Sequence, residues 1–93
     1  MYKIKWEKEA LESLAEIGLT GKKIKARVEK HLVKNPTEFG KPLKGSLKGL
    51  WSYRCYDKYR VVYQLSQTEL LIIVVEAGPR KDIYRKLDRN FQS

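Results

Sequence analysis

Residues 53–65 read YRCYDKYRVVYQL, residues 69–78 read ELLIIVVEAG and residues 79–87 read PRKDIYRKL. In the first, Tyr59, Val61, Tyr63 and Leu65 alternate with Arg60, Val62 and Gln64. That two-residue period predicts a strand with the first set facing the core and Arg60 aimed at the opposite side. WSYRCY, residues 51–56, precedes it as a second strand. Asp57-Lys58 joins the two in a tight hairpin, without the glycine of the most favoured turns. LLIIVVE, residues 70–76, is apolar on both faces, which predicts a central strand covered at least partly on both sides. Ala77-Gly78-Pro79 breaks that strand, and residues 80–89 predict a final helix with Ile83 and Leu87 on its inner stripe. The stretch therefore sets arginines and tyrosines at strand ends, where a phosphate can be gripped.

Towards the amino terminus, Tyr2, Ile4 and Trp6 alternate with Lys3, Lys5 and Glu7 as in a half-buried strand. Ala10, Leu11, Leu14 and Ile17 form one stripe of a helix over residues 8–17, stopped by Gly18 and Gly21. A second helix over residues 21–34 carries Ile24, Val28 and Leu32 inward and ends at Asn35-Pro36. Its other face is lysine-rich and must be solvated or meet something acidic. Residues 36–50, rich in glycine, proline and lysine, read as a loop tacked to the core by Leu43, Leu47 and Leu50. The prediction is one α+β domain over residues 1–93. Its elements run in the order β-α-α-β-β-β-α, about four strands with two amino-terminal helices and a short carboxy-terminal helix.

Ninety-three residues suffice for a single core, and 42% hydrophobic composition is that of a globular chain. The excess of 20 Lys and Arg over 11 Asp and Glu, net +9, therefore points to an anionic partner and not to disorder. No run approaches the roughly 18 apolar residues of a membrane span, and MYKIKW is not a signal-type apolar block, so a soluble cytoplasmic protein with no membrane role is expected. Cys55 is the only cysteine, which excludes an internal disulfide, and its simplest reading is a small strand residue. His31, the only histidine, reads as a helix-surface or boundary residue. No zinc spacing, GxGxxG or Walker loop, or paired carboxylates stand out, and no metal or cofactor is expected.

What remains is a cluster of cations and phenols. Arg54, Tyr56, Lys58 and Arg60 come from the hairpin, Arg80 and Tyr84 from the exit of the last strand, and Lys44 and Lys48 from the loop. Between Lys41 and Arg60 lie six cations and one acid, Asp57. Such a cluster repels itself unless an anion joins it.

At these residues the chain resembles the RelE/ParE superfamily of toxins from toxin-antitoxin modules, over nearly its whole length. LKGSLKGLWSYRCYDKYRVVYQL, residues 43–65, is similar to the superfamily's leucine-glycine loop and tyrosine-arginine hairpin. VEAGPRKDIY, residues 75–84, is similar to the ending of the RelE branch. The resemblance implies a compact α+β domain, a small antiparallel sheet with the two amino-terminal helices packed on one face, and an endoribonuclease, an mRNA interferase that inhibits translation by cutting mRNA in the A site of the 70S ribosome. It makes Arg60, Arg80, Tyr84 and Arg54 the catalytic residues, and we expect Lys44, Lys48, Tyr56, Lys58 and Lys81 to bind RNA. Tyr56 departs from the pattern, since some relatives carry a second lysine there. A small acidic antitoxin that folds over the basic surface is the implied partner, with operator DNA bound only through that complex.

The residue types suit RNA cleavage, in which a 2′-hydroxyl attacks its own phosphate, the proton is drawn off, a phosphorane is stabilised and the 5′-oxygen is protonated. Arginine is always charged and binds two phosphate oxygens with its planar fork, so Arg60 and Arg80 fit the stabilising role. Tyr84 fits that of base or acid, or of a platform on which a base stacks. Two other readings remain open: a ParE-like inhibitor of DNA gyrase, and a basic RNA-binding member without catalysis.

Overall fold

In the computed structural model, which describes residues 1–91 with side chains as far as Leu87, the opening alternation becomes strand β1 (Lys3–Trp6). Helix α1 (Lys8–Ile17) follows, matching the predicted span, and then helix α2 (Leu19–Lys30). Ala10 and Leu14 of α1 and Ile24 and Val28 of α2 are buried against each other and the sheet. The two helices approach closely at Gly21, where a Cβ would lie 2.0 Å from the carbonyl oxygen of Leu14, so only glycine fits. The second helix is shorter than predicted, because the chain tightens into a 3₁₀ turn at Leu32–Lys34 before Asn35-Pro36.

The stretch read as a loop holds more structure than expected. It contains a one-turn helix α3 (Pro36–Phe39), strand β2 (Gly40–Pro42) and a 3₁₀ turn at Gly45–Leu47. Strand β3 (Trp51–Cys55), strand β4 (Tyr59–Ser66), strand β5 (Leu71–Pro79) and helix α4 (Arg80–Phe91) complete the chain. The α+β class and the order of the predicted elements hold. Among the described residues the sheet has five strands in the order β1-β5-β4-β3-β2, the added one being β2 at the edge. It is mixed, since β1 lies parallel to β5 while the other neighbours are antiparallel. Alternation reveals that a segment is extended but not the direction of its neighbour, which is why the parallel pair was not predicted.

Both sides of the sheet are used. Tyr53, Cys55, Val61, Tyr63, Ile72, Val74 and Ala77 pack towards α1 and α2. On the outer side Val62 meets Leu50, Ile83 and Leu87, with Leu43, Leu47, Val75 and Tyr84 around them. The three loop leucines thus tack to the core as expected, and the apolar run in β5 is covered on two sides. A fully buried side chain of this kind contributes about 1.5–3 kcal/mol, so Ile83 and Leu87 are enough to seat α4.

Polar contacts fix α4 as well. The buried Glu76 carboxylate accepts the Ser13 hydroxyl at 2.5 Å and the Ala77 N–H at 3.1 Å, while Lys86 of α4 reaches Ser13 at 3.5 Å and Glu16 at 4.0 Å. No described helix is long and apolar enough to cross a membrane.

Candidate functional site

Helix α4 covers only part of the outer face and leaves the β2-β3-β4 corner open. There the register sets Arg54 opposite Arg60 and Lys41 opposite Ser52, which in turn faces Val62. Phe39, the last residue of α3, directly precedes the edge strand. The corner is a recess of about 330 Å³ whose lining includes Phe39, Lys41, Ser52, Arg54, Arg60 and Tyr84. Tyr84 enters it from α4, and its hydroxyl stands 3.4 Å from Ser52 Oγ.

The edge strand is held in place by a close approach. The Tyr63 hydroxyl donates to the Pro36 carbonyl at 2.7 Å, and a Cβ on Gly40 would lie 1.8 Å from that hydroxyl oxygen. Glycine at position 40 therefore lets the chain pass over Tyr63 and present Phe39 and Lys41 on either side of the crossing.

The cations are organised around the hairpin turn. The predicted two-residue link is a three-residue turn, Tyr56 to Lys58, in which Tyr56 and Asp57 take left-handed φ angles of 50° and 62°. Asp57 forms an ion pair with Arg54, whose guanidinium holds the Asp57 carboxyl below the usual carboxylate range. Arg60 Nη1 donates to the carbonyl oxygens of Asp57 and Tyr59, both at 3.0 Å. The two cross-strand guanidiniums are thereby tied to one turn residue.

Of the residues expected to act together, Arg54, Arg60 and Tyr84 meet in this recess. Arg80 stands beside it. Its N–H donates to the Lys58 carbonyl at 2.8 Å, and with Asp57, Lys58 and Lys81 it lines a neighbouring recess of about 710 Å³. Asp57 links the two, because it pairs with Arg54 of the first recess and lines the second. Lys44 and Lys48 bracket the 3₁₀ turn at Gly45–Leu47 as exposed side chains and line neither recess. Tyr56 leaves the strand at the turn and faces α2, with the Arg27 guanidinium 5.3 Å from its ring centre.

Sequence reasoning missed Phe39 and Ser52 and gave Lys41 no role. The visible signal for Phe39 was a single aromatic in a stretch otherwise made of turn formers. Its inner face is stacked on the ring of His31, with centroids 4.0 Å apart and planes 16° from parallel. His31 lies at the end of α2, where Nδ1 is 2.9 Å from the Tyr53 hydroxyl, to which Arg27 Nε also donates at 3.1 Å. The structure thus makes His31 a link between helix layer and sheet edge. Burial pushes the Tyr53 phenol up in spite of the Arg27 hydrogen bond, and pushes the Cys55 thiol up to about 11. Among the described residues no three His, Cys, Asp or Glu side chains gather as a metal-ligand set.

Comparison with known proteins places this architecture. The family model described as the ParE toxin of type II toxin-antitoxin system, parDE, matches residues 4–84, and the chain belongs to that family. It is a toxin of a type II toxin-antitoxin system. Among solved structures it is similar to one titled as the RelBE2 toxin-antitoxin complex from Mycobacterium tuberculosis, with TM-score 0.76, 21% identity, and 85% of this chain and 98% of that chain covered. The isolated RelE toxin of E. coli matches with TM-score 0.66 and 21% identity over 97% of this chain and 98% of that one. A YoeB/ParE toxin from Agrobacterium tumefaciens matches with TM-score 0.63 and 24% identity over 84% and 98%. These likenesses establish the RelE/ParE fold. No curated protein sequence matches the chain.

Proposed function

We propose that this toxin is an endoribonuclease that cleaves mRNA on the ribosome. The observation that carries the reading is the direct opposition of Arg54 and Arg60, beside Tyr84, in one recess. Like charges directly across a strand pair are destabilising, and a phosphate bridging them turns that repulsion into binding. Two planar guanidiniums can hold the non-bridging oxygens of one phosphodiester as negative charge grows on them in the phosphorane. Tyr84, with its hydroxyl near Ser52, is the group placed to exchange a proton with the attacking 2′-oxygen or the leaving 5′-oxygen. Arg80, Lys58 and Lys81 in the adjoining recess then hold the flanking backbone, the exposed Lys44 and Lys48 extend the contact along the loop, and Tyr56, which faces α2, takes no part. An acidic antitoxin that covers these cations would silence the site.

The test is cleavage of a defined mRNA bound to ribosomes by purified protein, with Arg54→Ala/Arg60→Ala as the control. Intact message under both conditions would end the nuclease reading. A second reading is favoured by the name of the matching family model: a ParE-like inhibitor of DNA gyrase. Inhibited supercoiling by the same preparation, with mRNA left whole, would establish it.

A further inference from the structure

Phe39 is 36% exposed, in a recess whose other prominent side chains are cations and a phenol. One face of its ring is taken by His31 and the opposite face is not part of the core. A large apolar ring kept at the surface beside three cations suits a ligand with a flat apolar part joined to an anion. An unpaired nucleotide has that composition. We propose that Phe39, braced from behind by His31, is the platform on which one nucleobase of a single-stranded RNA stacks, while the adjoining phosphate lies between Arg54 and Arg60.

This rests on the reading of the recess as an RNA site and adds a specificity element to it. Three features of the fold support the assignment. Phe39 closes α3 just before β2 and lines the same recess of about 330 Å³ as Arg54 and Arg60. A base and its own phosphate are only a few bonds apart, so such adjacency suits one nucleotide. The His31 ring is hydrogen-bonded to Tyr53, which is buried, so the stack behind Phe39 is anchored to the core. The hydroxyl of Tyr63 and the crossing at Gly40 hold the neck of the same turn. A ring fixed in this way has little conformational freedom left to lose when a base lands on it.

The probe is a short single-stranded oligoribonucleotide, 2′-O-methylated so that it cannot be cut, carrying the fluorescent base 2-aminopurine, and its abasic twin. Wild-type protein should bind the base-bearing probe about tenfold more tightly than the abasic one, the order expected of one base-aromatic stack, and should quench its fluorescence. Phe39→Leu should erase both the preference and the quenching, and Phe39→Tyr should restore them. A preference that survives Phe39→Leu overturns the proposal, as does an equal weakening for both probes, which would mark a purely structural side chain. If the base-dependent binding is found but ribosome-bound mRNA stays intact, the nuclease reading fails and the stacking platform stands.

Discussion

Arg54 and Arg60 face each other across β3 and β4, and both are held by Asp57, one through its carboxylate and the other through its carbonyl. The pair is a local strain in charge that the turn partly relieves. Stability and activity should therefore respond in opposite directions when it is broken.

Arg60→Gln removes one of the two opposed charges while keeping a polar side chain on the strand. mRNA cleavage should fall about 100- to 1,000-fold, the scale for losing one charge-stabilising donor. The melting temperature should stay level or rise. A matching drop in both would mean that Arg60 acts through the fold.

Tyr84→Phe keeps the ring against Leu50, Val62, Ile83 and Leu87 and deletes only the hydroxyl near Ser52. Single-turnover cleavage should slow by about 100-fold or more if that hydroxyl moves a proton. Oligonucleotide affinity and thermal unfolding should be unchanged. Unaltered turnover would leave Tyr84 a stacking or packing role.

Asp57→Asn keeps a side chain that tolerates the left-handed backbone at this position and releases Arg54 from its partner. Affinity for single-stranded RNA should rise, and the slope of log K against log salt should steepen by about 0.7, the increment for one more phosphate contact. A titration series at several salt concentrations measures both.

Cys55, Tyr53 and Tyr63 each hold their protons more firmly in the folded chain, chiefly because burial disfavours the anion. The sign follows directly. The stabilisation is complete below the ordinary thiol value of 9.0 and is lost as pH rises towards the folded Cys55 value of about 11. For Cys55 alone the loss is on the order of 2 kcal/mol. Urea unfolding between about pH 8 and pH 11 should show the decline, and a thiol reagent should label Cys55 only after unfolding.

Much of this arrangement was legible in the chain because it follows from period and punctuation. The alternation at residues 59–65 correctly put Arg60 on the face away from the helices, and Leu43, Leu47 and Leu50 announced their own burial. The hidden parts depend on register and backbone passage. Gly40–Pro42 has no strand pattern, and becomes one because Gly40 can cross the Tyr63 hydroxyl and pair with Tyr53. That pairing alone carries Phe39 and Lys41 to the arginines. The separation of Arg80 from Arg60 into adjoining hollows depends on where α4 starts relative to the turn, and the strand pattern is silent on that.

The parallel pairing of β1 with β5 has a bearing on how the molecule comes into being. Strand β1 can find its neighbour only when residues 71–74 exist, so the segment made before the helices must wait for one made after them. Helix α4, which brings Tyr84 to the arginines, is made later still. The recess lined by Arg54, Arg60 and Tyr84 is therefore complete only after β5 and the start of α4 have been made.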